Sequence, residues 1–187
     1  MGRGFTIVEL IIVIAVIGIL ASISLVAYNG IQNEARTAKR AATADAYEKL
    51  LSIHRARHGA FPQPSNPSVS PCLGERSHYP ARDGFPAGVC YQYAAGGATN
   101  TAGAVDDSFN AELKSTSLDS LPDASYAPVD VNIEGYVYRM RGVIVFFNSN
   151  SLGLGYIDKD DGKPCSGRFL ASTGGMPGAK VCEVRVD

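Results

Sequence analysis

The sequence of 187 residues predicts an α+β protein: a long N-terminal helix, apolar on every side over its first half, whose second half packs on a small antiparallel β-sheet. Three observations predict it. No proline occurs before Pro62, so nothing from Phe5 to His58 has to break a helix. From Leu10 to Ala27 there is no charged residue, and only Ser22 and Ser24 are polar. Beyond residue 130, β-branched and aromatic runs are separated by turn-forming residues, which is the pattern of strands.

At 1.5 Å per residue, a helix from Phe5 to His58 extends roughly 80 Å, well beyond the width of a small domain. Most of it must therefore be covered by something other than its own chain, either a bilayer or further copies of the same helix. The uncharged run is about 27 Å long as a helix, enough for one membrane span with little slack. Lipid does not account for Glu9. A carboxylate carried to the membrane centre costs about 2.5–3.5 kcal/mol, so Glu9 is expected to have a partner. Cleavage after Gly4 would create one, the free amine of Phe5.

Gly4 followed by Phe5-Thr6-Ile7-Val8-Glu9-Leu10 and the apolar run resembles the class III signal of type IV pilins and pseudopilins. The resemblance implies cleavage after Gly4 by a prepilin peptidase, N-methylation of Phe5, and an assembly role for Glu9 paired with the Phe5 amine. It also implies a pilin-like fold divided into a leader (1–4), a transmembrane and assembly helix (5–28), an amphipathic second half (29–58) and a β-rich globular domain (59–187). The expected function is that of a structural subunit of an extracellular filament, held as a single-pass membrane protein before assembly and displayed on the cell surface afterwards, where such filaments serve adhesion and motility. Its partners would be further copies in a helical filament, the peptidase, the membrane and the assembly platform. The alternatives are a minor pilin, a secretion-system pseudopilin, or a filament-tip adhesin or DNA-uptake subunit.

Competing readings of the N-terminus explain less. The apolar core is longer than that of a secretory signal peptide and is followed by no convincing small-x-small cleavage site. Met1-Gly2 with Thr6 fits a myristoylation pattern, but that pattern is short and common. A plain membrane anchor leaves Glu9 and the Gly4-Phe5 junction unexplained. With Arg3 alone before the span and Arg36, Lys39 and Arg40 after it, charge opposes the positive-inside tendency, a conflict that a longer leader would remove.

A net charge of -1 singles out no nucleic acid or anionic surface as partner. Cys72, Cys90, Cys165 and Cys182 all follow the span and contain no C-x-x-C spacing, which suits disulfides in an oxidising compartment. Four cysteines allow three connectivities, and spacing does not choose among them. Local pairing, Cys72 with Cys90 and Cys165 with Cys182, is expected because each pair encloses one turn-rich segment. The second pair also resembles the disulfide-bounded loop that closes many pilin domains.

After Tyr28-Asn29-Gly30, a candidate bend, Ile31, Ala35, Ala38, Ala42, Ala46, Leu50 and Ile53 form the expected apolar stripe. Gly59 and Pro62 stop the helix. Residues 63–88 carry five prolines and read as a fastened loop, Val89 to Tyr93 as a short strand, and Ala94 to Ala104 as a glycine-rich loop. Asp106-Asp107-Ser108 opens a short helix. Tyr136 to Met140 and Val143 to Phe147 read as strands joined by a turn at Arg141-Gly142, followed by strands at Leu152 to Ile157 and Val181 to Val186.

Two clusters invite chemistry. His54 and His58 have a metal-capable i, i+4 spacing, but the glutamate of H-E-x-x-H is missing, so a solvated basic helix end is expected there; Arg55, Arg57 and His58 are the residues that a DNA contact would use. Asp158-Lys159-Asp160-Asp161-Gly162 resembles a calcium loop but departs from the EF-hand spacing, so a polar turn is expected. Without a nucleophile elbow, a P-loop or a metal set, the sequence calls for no enzyme activity, metal or cofactor.

Overall fold

The computed structural model describes residues 6–116, 120–133, 135–148, 151–159, 164–165, 170–172 and 179–186. Helix α1 runs from Ile7 to His58 without interruption, so Gly30 does not end it. It stops where Gly59 adopts a positive φ of 77° and donates its N–H to the Arg55 carbonyl at 2.8 Å, a left-handed cap that glycine adopts at no steric penalty. Two compact units are distinguished, Met1–Ala38 and Lys39–Asp187.

Within the second unit, the described residues form one nine-stranded sheet in the order β4-β5-β2-β3-β1-β6-β7-β9-β8. Its strands are β1 (Ser70–Cys72), β2 (Val89–Ala95), β3 (Ala98–Val105), β4 (Ser125–Ile133), β5 (Tyr136–Gly142), β6 (Ile144–Asn148), β7 (Ser151–Lys159), β8 (Leu170–Ser172) and β9 (Ala179–Val186). Every pairing is antiparallel except β1 with β3. The α+β arrangement is as expected, but the sheet is larger than the five strands read from sequence.

One face of the sheet packs on the second half of α1. Ala44, Tyr47, Leu50 and Leu51 meet Val143, Val145, Leu152, Leu154 and Tyr156, with Phe109 and Leu113 of a second helix, α2 (Asp107–Lys114), completing this core. Each fully buried large side chain contributes about 1.5–3 kcal/mol. The buried face of α1 is Arg40, Ala44, Tyr47, Leu51 and His54, a three-four repeat rotated away from the expected stripe; Ala35, Ala38, Ala42 and Ile53 are exposed. The reason is that the polar members of the buried face all find partners. The Tyr47 hydroxyl donates to the Pro122 carbonyl at 2.6 Å, and burial, then Asp123 and Glu75, push its pKa well up, so it remains a neutral donor. Arg40 Nη1 meets Asp158 Oδ1 at 2.5 Å with both side chains almost completely buried, and its guanidinium lies 4.5 Å from the centre of the Tyr126 ring.

Two further expectations change. Ala94 to Ala104 is mostly strand: β2 and β3 form a hairpin closed by Gly96-Gly97, both at positive φ, the geometry of a two-residue primed turn. Arg141-Gly142 is no turn. Strand β5 pairs with β4 and β2, β6 pairs with β1 and β7, and Arg141 is buried at the end of β5. Its guanidinium donates to the carbonyls of Val89, Pro80 and Pro86 at 2.8, 2.7 and 3.0 Å, fastening the proline-rich loop to the sheet.

Asp106 caps α2, accepting the Phe109 N–H at 3.1 Å, and also accepts from the Ser65 N–H at 2.6 Å. Burial pushes its pKa up, but the hydrogen bonds from Phe109, Ser108 and Ser65 together outweigh burial and hold the carboxyl below its ordinary value.

Two predictions follow from this packing. Replacing Asp158 by Asn leaves Arg40 buried without its countercharge and lowers stability by about 3–5 kcal/mol, or roughly 10 °C in Tm; adding Arg40→Met restores much of that. Denaturant unfolding of both variants checks this, and an Asp158→Asn change below about 0.5 kcal/mol would contradict it. Because the Asp106 pKa is lowered on folding, its contribution is fully present above the ordinary carboxyl value near 3.9 and disappears as pH falls through the folded value. Asp106→Ala is expected to be less stable than wild type by about 1 kcal/mol at neutral pH, with the gap closing below about pH 4.

Candidate functional site

The first half of α1 presents side chains that nothing in the chain covers. Every Ile, Leu and Val from Ile7 to Ile23 is at least 45% exposed, Ile7 reaching 78%. Residues Ile7–Ser24 have a mean hydropathy of 2.8 and none of them is buried. Eighteen residues of helix rise about 27 Å, close to the roughly 30 Å of a bilayer's hydrocarbon core. The two polar residues that follow Glu9 in this run are satisfied without water: Ser22 Oγ donates to the Gly18 carbonyl and Ser24 Oγ to the Leu20 carbonyl, both at 2.8 Å.

At the mouth of this helix Thr6 and Glu9 form a capping box. The Thr6 N–H and hydroxyl donate to Glu9 Oε2 at 2.9 and 2.7 Å, while the Glu9 N–H donates to Thr6 Oγ1 at 3.2 Å. The partner expected for Glu9 is the amine of Phe5; within the described residues its partner is Thr6, and the T-x-x-E spacing is the signal that reveals it. The box holds the carboxylate against the start of the helix, where the helix dipole also favours it. Gly4 and Phe5, the expected cleavage and N-methylation residues, lie outside the described residues.

Elsewhere the candidate residues are structural. Cys72 is joined to Cys90, and Cys165 to Cys182. Cys72 ends β1 and Cys90 lies in β2, so the first bridge closes the loop that Arg141 fastens. Cys182 lies in β9, and much of the segment closed by the second bridge falls outside the described residues. The solvated helix end expected at His54 to His58 is corrected at its first residue: His54 is only 1% exposed, with Nδ1 3.0 Å from the Ala60 carbonyl and Nε2 3.2 Å from Glu112 Oε1, and its ring stacks on His58. Arg57 donates to the Thr116 carbonyl, and Arg55 lies over the Phe61 ring. Two of these partners, Glu112 and Thr116, lie far along the chain, which a local reading of the helix end does not include.

The polar turn expected at Asp158 is likewise corrected. Asp158 is a buried residue of β7 opposite Lys180 of β9, and its carboxylate is held by Arg40. Asp160 and Asp161 lie outside the described residues. Among the described residues, no three acidic, histidine or cysteine side chains gather as a metal set.

The site that emerges is a lipid-compatible helix with a carboxylate at its mouth, in a chain that also carries an α+β domain. Residues 2–25 match the family described as the prokaryotic N-terminal methylation motif. The chain is 33% identical over 79 residues to a type IV major pilin protein, PilE1, of Neisseria gonorrhoeae, covering 41% of this chain and 36% of that protein. It is 35% identical over 60 residues to a fimbrial protein of Neisseria meningitidis serogroup B, covering 32% of this chain and 35% of the relative. No solved structure matches. Over its N-terminal part the chain is similar to type IV pilins, and it spans only about a third of the length of the curated relatives it matches.

The second bridge generates a prediction. Its cysteines are 17 residues apart, and closing a loop of that size stabilises a fold by about 3 kcal/mol in the chain-entropy picture. Replacing Cys165 and Cys182 together by Ser is expected to lower the unfolding free energy by about that amount, measured by denaturant titration without reductant. An unchanged midpoint would mean that the bridge constrains little.

Proposed function

We propose that the protein is a structural subunit of a type IV pilus-like filament, held in the cytoplasmic membrane by Ile7–Ser24 and assembled through that same helix. The observation that carries this reading is the match to the methylation motif on a helix whose apolar side chains are all uncovered. A prepilin peptidase cuts after Gly4, and the new amine of Phe5 is N-methylated. The helix then leaves the membrane for a bundle of identical helices. Because lipid tails and neighbouring helices are similarly apolar, the exchange is close to neutral per unit area, and packing, polar pairing and an assembly machine supply the direction.

Glu9 provides the polar pairing. The capping box with Thr6 orients the carboxylate, and a Phe5 amine, from the same or a neighbouring subunit, adds a charge-assisted hydrogen bond stronger than one between neutral groups. Relatives named as major pilin and fimbrial proteins support a main filament subunit over a minor component. The Lys39–Asp187 unit would then form the filament's outer surface.

The intact mass of surface-extracted protein is expected to begin at a methylated Phe5; a chain beginning at Met1, or cut elsewhere, would refute the processing step. Glu9→Ala is expected to yield a folded, membrane-inserted protein whose filaments fall in abundance by about tenfold or more, in line with the loss of one charged hydrogen bond. Filament yield equal to wild type would refute the pairing.

A further inference from the structure

On the sheet face turned away from α1, strands β5 and β2 and strands β6, β7 and β9 border a cleft of about 160 Å³. Its walls are the rings of Tyr91, Tyr138 and Phe146, with the buried side chains of Met140 and Ile157 below them and Glu183 on its lining. Register explains the grouping. Tyr91 is opposite Met140, Ile157 is opposite Val181, and Gly155 is opposite both Ile144 and Glu183, so these side chains share a face.

The Phe146 ring lies across the β7 backbone. A Cβ at Gly153 would fall inside that ring's contact distance, and one at Gly155 would stand 3.0 Å from it. Glycine at both positions is what lets an aromatic wall stand here.

Glu183 is the one charged group among the described lining residues, is half-buried, and forms no ion pair among the described residues. Arg185, two residues along the same strand, is exposed and does not line the cleft. Aromatic rings and a carboxylate on one lining favour positive charge, the rings through their quadrupoles and the carboxylate directly; the Tyr138 ring also stacks on Tyr136, with centroids 6.1 Å apart. The volume is well below the roughly 300 Å³ at which pockets for drug-sized ligands begin, so it suits one compact group.

From this arrangement we infer that the cleft binds a small organic cation, the quaternary ammonium group of a free molecule such as choline, caged by Tyr91, Tyr138 and Phe146 and countered by Glu183. The carboxylate also repels a phosphate placed next to the ammonium, which favours the free cation over a phospholipid headgroup. The pilus reading gives this cleft no role, and the inference stands or falls independently of it.

The test is calorimetric titration of the full chain in a maltoside detergent, which carries no ammonium group. The probes are choline, its neutral isostere 3,3-dimethyl-1-butanol, and phosphocholine. Choline is expected to bind, with the neutral isostere and phosphocholine each weaker by about tenfold or more, and Glu183→Gln is expected to weaken choline by a similar factor. The Gln side chain is nearly isosteric, and the comparison of probes on the wild-type chain holds even if that variant does not fold. No choline binding, equal binding of the neutral isostere or of phosphocholine, or a folded Glu183→Gln chain that binds choline like wild type would overturn the inference.

Discussion

The buried pair between Arg40 and Asp158 stands where α1 changes character. Before Arg40 the helix shows apolar side chains with no cover from their own chain; from Arg40 onward one face is buried through Ala44, Tyr47, Leu51 and His54. A helix made only of alanine and leucine on its packed face could slide or rotate by small steps at little loss. A guanidinium held 2.5 Å from a carboxylate, with both desolvated, has one good position. That position sets which face of α1 meets β6 and β7, and with it the placement of Tyr47 against Pro122 and of His54 against Ala60.

The elements with strong local signals were legible in the sequence. Helix α1 follows from its missing prolines and its Gly59 stop, α2 from Asp106 at its cap, and β5 and β6 from their β-branched and aromatic residues. The register of α1 was not legible, because pattern reading places Arg40 and His54 outside the apolar stripe by polarity, whereas in the fold each is buried with a partner distant in sequence, Asp158 and Glu112. The hairpin at Gly96-Gly97 was read as loop because Ala, Thr, Asn and Gly carry little β signal, even though a two-glycine turn marks a hairpin. Arg141-Gly142 misled in the opposite way: two adjacent strands suggest a hairpin, yet β5 and β6 leave for different neighbours, a choice fixed by long-range pairing.

The functional helix was the most legible part of the site, since its composition, length and motif are local. Glu9 stands out by its charge at the edge of an apolar run, whereas its capping box with Thr6 rests on a short T-x-x-E spacing that the resemblance does not single out. The box and a Phe5 pairing are compatible: a carboxylate accepting from Thr6 has acceptor capacity left for an amine. Asp158 shows the limit of reading clustered carboxylates from sequence alone. Four polar residues in a row resemble a solvated turn or a cation loop, and only the distant Arg40 reveals that the first of them is part of the core. The aromatic cleft had no sequence signature, because its walls come from five strands.

The central claim is that the uncovered half of α1 is an assembly surface that copies of the chain bury against one another. Cryo-electron microscopy of filaments sheared from cells, with mass spectrometry of their main component, tests it most directly. The account predicts that this chain is that component and that the apolar helices of its copies, Ile7–Ser24, are buried against one another. Filaments lacking the chain, or built with its apolar helix facing solvent or absent, would contradict the account.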